Sequence, residues 1–235
     1  MDRIYRLYRK PEPTRALATK WNYLNRITDG EGALLYSGVT PNDYFKAAVI
    51  FTDASGNDAL SFGANRSVAP GAFVSSLACG TEIHRIDLPV GVRLRPNASM
   101  GLTLAKTGEE LEILPSHMAA SNELGRLAAV FADEIVVRRG DETVAFTGGR
   151  NPQEASGEFN KEAVAEFAGS VLGELKKIPG NILKVAAGKR EDSESGRLTA
   201  LSDVVNPDLA LTLLVFRTYI FRHFQNPQEK WWQGD

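Results

Sequence analysis

The stretch from Asn206 to Phe224, NPDLALTLLVFRTYIFRHF, constrains the fold more than any other part of the chain. Asn206 can cap a helix, Pro207 suits the first helical position, and Asp208 favours the positive end of the helix dipole. Wound at about 100° per residue, Leu209, Ala210, Leu211, Leu213, Leu214, Val215 and Phe216 leave no wide polar face. Such a helix must be enclosed by protein or by lipid. A membrane span needs about 20 mainly apolar residues. This segment offers fewer, and Arg217, Arg222 and His223 interrupt its second half. Each Arg near a bilayer centre costs at least ~2.5–3.5 kcal/mol on insertion scales, so enclosure by protein is the expected outcome.

The rest of the chain supplies a container. Five times, two short β-prone runs flank a polar or Gly-containing turn, the pattern of a hairpin. They are NRITDGEGALLYSG, VIFTDASGNDALSFG, EIHRIDLPVGVRLR, GLTLAKTGEELEIL and EIVVRRGDETVAFTGG. Ile4 to Tyr8 adds a strand, and a further one is sought near Ile182 to Val185 or in Ala16 to Tyr23. Asn122 to Leu127 is read as opening a strand into the fifth hairpin. A barrel of eight strands is filled by its own side chains, whereas a helix is ~10 Å or more across, so only a wider barrel can hold one. The expected fold is therefore mainly β with α: a closed antiparallel β-barrel of about twelve strands around a buried C-terminal helix. Arg217, Arg222 and His223 are expected at the helix's C-terminal end, reaching solvent.

One amphipathic surface helix is also expected. Between Asn160 and Ile178, Val164, Phe167, Ala168, Val171, Leu172, Leu175 and Ile178 recur at three- and four-residue steps until Pro179-Gly180 stops them. Gly188 to Gly196, GKREDSESG, reads as a charged, flexible loop. The organisation is a single domain over 1–235, with a helical insertion and charged loop at 158–190, the central helix at 206–224 and a tail at 225–235. Trp231 and Trp232 in that tail are expected to pack against the barrel or a second copy.

Composition excludes several classes. With 27 basic and 29 acidic residues the net charge is −2, which argues against a strongly basic nucleic-acid binder. The charged N-terminus MDRIYRLYRKPEP has no apolar signal-peptide run, which places the expectation in the cytoplasm, with peripheral membrane contact open. Cys79 is the only cysteine, so intramolecular disulfides and multi-Cys zinc sites are excluded. His84, His117 and His223 are too dispersed to propose a metal site, and no cofactor fingerprint is present. Catalytic pairs would be Cys79 with His84 or Ser116 with His117, but neither falls in a local catalytic signature.

In its hairpin turns ITDGEGALLY and FTDASGNDAL, and in its closing order of the acidic stretch EDSESG then NPDLALTLLVF, the chain resembles the Tubby-like superfamily. This comprises the tubby C-terminal domain, the LURP-one-related proteins and the phospholipid scramblases. The resemblance implies a twelve-stranded barrel around an apolar helix and, by the tubby branch, binding of phosphoinositide headgroups by basic residues on barrel strands. The Cys-rich and Pro-rich segments of animal scramblases are missing, and EDSESGRLTALSD is a poor calcium loop, although Glu191, Asp192, Glu194 and Asp203 could supply oxygen ligands.

Arg93 and Arg95, two apart, would share one face of a strand, and Arg85 lies across the Pro89-Val90-Gly91 turn. These three form the candidate anion or lipid site. Arg138 with Arg139 is a weaker pair. Arg3, Arg6, Arg9 and Lys10 are a further basic group that could touch an acidic membrane surface, although they alternate with apolar residues as an edge strand would. The expected function is a non-enzymatic barrel that binds anionic lipid headgroups or a membrane surface. The alternative is a protein–protein or structural module that forms a homo-oligomer through the surface helix and the Trp-rich tail.

Overall fold

The computed structural model describes residues 2–13, 21–41, 49–65, 71–88, 99–119, 134–148 and 193–218. The surface helix expected at Asn160 to Ile178, the strand at Asn122 to Leu127, the tail with Trp231 and Trp232, and Arg93, Arg95, Arg222 and His223 lie outside them.

Twelve strands follow one another: β1 Arg3–Pro13, β2 Trp21–Asp29, β3 Leu34–Pro41, β4 Val49–Asp53, β5 Asp58–Asn65, β6 Ala72–Leu77, β7 Glu82–Asp87, β8 Met100–Leu104, β9 Glu109–Pro115, β10 Ile135–Arg139, β11 Glu142–Thr147 and β12 Ser193–Ala200. Each pairs antiparallel with its sequence neighbours, and β12 returns to β1, so the sheet closes into a barrel without edges. A short helix α1, Ser116–Ala119, follows β9, and helix α2, Pro207–Phe216, follows β12.

An up-and-down order puts alternate connections at alternate ends. Tight turns join β2 to β3, β4 to β5, β6 to β7, β8 to β9 and β10 to β11 at one end. The longer connections leave from the other. Side chains close two of the tight turns: Asp29 Oδ1 accepts from the Glu31 and Ala33 amides, and Asp53 Oδ1 from those of Ser55 and Asn57. Gly56 in the second turn has φ +83°, a conformation that other L residues adopt only under strain.

Helix α2 begins at the tight-turn end and runs toward the other. Asn206 Oδ1 accepts from the Leu209 amide at 2.8 Å, Pro207 occupies the first turn, and Leu209 to Phe216 are buried all round. It meets strands on several sides of the barrel. Tyr36 of β3 donates to Asp208 Oδ1, Phe73 of β6 packs on Phe216, and a Cβ at Gly196 of β12 would lie 3.3 Å from Leu214. Arg217, expected to reach solvent, instead turns back onto the barrel: it donates to the Ser195 carbonyl and to Glu134 Oε1, both at 2.8 Å.

An aromatic ladder runs across neighbouring strands of the interior. Phe51 meets Phe62 edge-on at 5.4 Å between centroids, Phe62 stacks on Phe73 at 5.9 Å, and Phe73 lies 5.7 Å from Phe216. Gly38 on β3 makes room for it, since a Cβ there would lie 2.8 Å from Phe51 Cγ.

Two strands depart from the sequence reading. β12 includes Ser193 to Gly196, expected as part of a flexible loop; its ladder partners β1 and β11 supply the backbone hydrogen bonds that its composition does not advertise. β6, AFVSSL, falls in none of the five expected hairpins, because Ser75 interrupts its apolar alternation. β7 pairs with β6 on one edge and with Met100–Leu104 of β8 on the other; Val92 to Arg95, expected as its returning strand, lie outside the described residues.

Candidate functional site

Two polar arrangements stand out, one inside the barrel and one outside. Inside, Ser75 on β6, His84 on β7 and Thr212 on α2 form a closed triangle: Ser75 Oγ lies 3.0 Å from His84 Nδ1, Thr212 Oγ1 lies 3.2 Å from the same nitrogen, and the two hydroxyls are 3.1 Å apart. Thr212 also donates to the Asp208 carbonyl at 2.8 Å, one helical turn back. Burial pushes the His84 imidazole down to about 4, and the nearby Asp208 carboxylate opposes this only weakly. A serine bonded to a neutral imidazole is a nucleophile–base geometry in outline. All three groups are sealed from solvent, however, so a substrate has no path to them. Their chemistry is that of a latch that fixes the rotation and height of α2 against β6 and β7.

The expected catalytic pairs are separated or unbonded. Cys79 sits exposed on the β6–β7 turn with its Sγ 3.4 Å from Thr81 Oγ1, and this contact holds its thiol below the usual range. His84, five residues on, faces the interior. Ser116 Oγ is buried and makes no hydrogen bond. Among the described residues no group of three or more His, Cys, Asp or Glu could hold a metal ion, and no helix is long and apolar enough to cross a membrane. Glu194 and Asp203, two of the acidic-stretch oxygens, are in ion pairs, with Arg197 at 3.0 Å and with Arg3 at 3.2 Å.

Of the candidate anion site, Arg85 lies on the outer side of β7. Its Nε donates to Asp87 Oδ1 at 2.9 Å, and its ladder partners are Val74 and Thr103. Arg138 faces Glu112 across β9–β10, and Arg139 bonds Glu109 at 2.6 Å. These cations are interleaved with carboxylates.

Barrel closure builds a different cationic surface. On the outer face of β12–β1–β2, Arg197 pairs across to Arg6, and Arg6 to Thr28. The next rung runs Glu194, Tyr8, Arg26, Ser37 and Thr52, and the one beyond it Lys10, Leu24 and Val39. Arg6 directly opposite Arg197 is a like-charge pair that costs stability. Glu194 lies between them, 3.7 Å from Arg6 and 3.0 Å from Arg197. Among the described side chains, this face presents four cations, Arg6, Lys10, Arg26 and Arg197, against the single carboxylate of Glu194. The wall around β9 is mixed instead, with Glu110 and Glu112 exposed on its outer face beside Arg138 and Arg139 of β10.

No signal in a linear reading joins Arg197 to Arg6, because the β1–β12 ladder alone makes them neighbours. No family model matches the chain, and no curated protein or solved structure matches it.

Proposed function

We propose that the protein is a non-enzymatic, Tubby-like barrel that binds anionic lipid headgroups at a membrane surface. The concentration of cations on β12–β1–β2, in a chain of net charge −2, is the observation that carries this reading. Each Lys or Arg near an anionic leaflet contributes about 1 kcal/mol, so a fixed group of three or four gives measurable attraction at physiological salt. The order of twelve meandering strands and a buried closing helix supports the Tubby-like part. In this reading Arg85, Arg93 and Arg95 are a secondary contact, since Asp87 offsets the charge of Arg85.

Co-sedimentation with vesicles of phosphatidylcholine, with and without phosphatidylserine, tests the proposal. The wild type should favour the anionic vesicles and lose that preference as salt rises. Lys10→Gln/Arg26→Gln should weaken binding more than Arg93→Ala/Arg95→Ala. Equal partition of the wild type into both vesicle types would sink the reading.

A further inference from the structure

The barrel exterior carries an apolar feature directly beside these cations. Val39 on β3 and Ile50 on β4 are 48% and 50% exposed, and each lies one residue beyond the Gly38–Phe51 pair, the last rung of the β3–β4 ladder. Leu24 on β2 pairs with Val39, and Lys10 on β1 pairs with Leu24. On the far side Ile50 pairs with Ser61, and Ser61 with Ser76. The row thus reads Lys10, Leu24, Val39, Ile50, Ser61, Ser76, and meets a carboxylate only at its far end, where Ser76 pairs with Glu82. The parallel row Tyr8, Arg26, Ser37, Thr52 is flanked by Glu194 at its β12 end and by Asp58 at its β5 end. Leu34, Leu77, Met118 and Leu201, the other exposed large apolar residues among those described, do not form such a run.

With the half-buried Leu24, the two exposed β-branched residues give this part of the outer wall an apolar strip. Charge complementarity identifies the cover: Lys10 and Arg26 border the patch on its β1–β2 side, and among the described side chains the carboxylates of these rungs, Glu194, Asp58 and Glu82, stand only at their outer ends. A free phosphate or soluble headgroup would use the cations and leave the apolar row wet. A bilayer of anionic lipid satisfies both, because stable peripheral attachment generally combines a polybasic patch with a second, apolar contribution. We propose that Leu24, Val39 and Ile50 form an insertion edge on β2–β3–β4, which converts electrostatic attraction by the neighbouring cations into contact with the acyl boundary of an anionic membrane. The inference rests on the membrane-binding reading above and adds to it the face, the orientation and the second source of affinity.

The orientation follows from the row's position. It lies toward the barrel end from which the longer connections leave, since Lys10 and Val39 are near the ends of β1 and β3 and Ile50 is near the start of β4. Cys79, on a tight turn, lies toward the opposite end and is the native reporter for that contrast.

Vesicles of phosphatidylcholine with phosphatidylserine are the probe, with inorganic phosphate as the soluble control. Val39→Ser/Ile50→Ser, both on the outer face, should reduce the partition coefficient by roughly tenfold while leaving its salt dependence unchanged. Lys10→Gln/Arg26→Gln should flatten the salt dependence. An environment-sensitive dye on Ile50→Cys in a Cys79→Ser background should shift to the blue on anionic vesicles, whereas the same dye on native Cys79 should not. If the wild type binds anionic vesicles but Val39→Ser/Ile50→Ser binds them equally well, with no dye shift at position 50, the insertion edge is overturned and the headgroup reading stands. If the wild type shows no anionic preference, the parent reading fails. Self-association that depends on concentration and is lost in Val39→Ser/Ile50→Ser, with vesicle binding unchanged, would assign the row to a second copy of this chain and overturn the proposal.

Discussion

The two faces of the barrel wall use apolar residues in opposite ways. Inward, Phe51, Phe62 and Phe73 pass contact from strand to strand until they reach Phe216 of α2. Outward, Val39 and Ile50 of the adjoining strands stand half exposed beside Lys10 and Arg26. The inner residues gain their full stabilisation on folding; the outer pair, half covered, gains the rest only when something else covers it. Stability and function should therefore separate cleanly between the faces, and substitutions that blur that separation test it.

The largest effect is expected inside. Phe216→Ala removes the last ring of the ladder, and the closed wall limits how far its neighbours can collapse into the gap, so unfolding in urea should show a loss of about 3–5 kcal/mol. A loss below about 1 kcal/mol would mean that α2 is not the keystone of the core.

A somewhat smaller effect should come from pH. The unfolded His84 imidazole takes up a proton near 6.5, whereas the buried one stays neutral down to about 4. Between these values the unfolded state binds the extra proton, so stability falls as pH drops through the window and levels off below it. The full loss is about 3 kcal/mol. Asp53, whose folded value is lowered from 3.8 by its turn hydrogen bonds, loses its contribution only at still lower pH and leaves this window clear. Urea titrations at pH 7 and pH 4.5 check the slope. It should flatten in His84→Gln, which cannot titrate; an equal slope in that variant would place the proton elsewhere.

The smallest stability effect belongs to the outer face. Val39→Ser and Ile50→Ser should each lie within about 0.5 kcal/mol of the wild type, as expected of exposed positions, while they reduce vesicle binding. A large stability loss at either position would erase the contrast between the faces.

Much of this was legible along the chain, for identifiable reasons. The cap Asn206, the turn residue Pro207 and the unbroken apolar run to Phe216 act locally, so the helix and its burial followed from residue chemistry. The Asp29 and Asp53 turns close on their own neighbours' amides, and they were legible for the same reason. β6 and β12 were not. Ser75 faces the interior only because His84 and Thr212, nine and 137 residues away, meet it there. Ser193 to Gly196 becomes a strand because β1 and β11 flank it. Arg85 was legible as a cation but not as one bonded to Asp87.

The sequence by itself determined that a helix too apolar for water must be enclosed, and that a series of short hairpins was available to enclose it, since periodicity, capping and turn chemistry act over a few residues. Tertiary structure decided what distance along the chain conceals. Closure of β12 onto β1 set Arg197 beside Arg6, the seating of α2 inside the barrel brought Arg217 onto Glu134, and the β1–β2–β3 register put Lys10, Leu24 and Val39 on one rung. These are contacts between strands, and their register is fixed by the whole barrel.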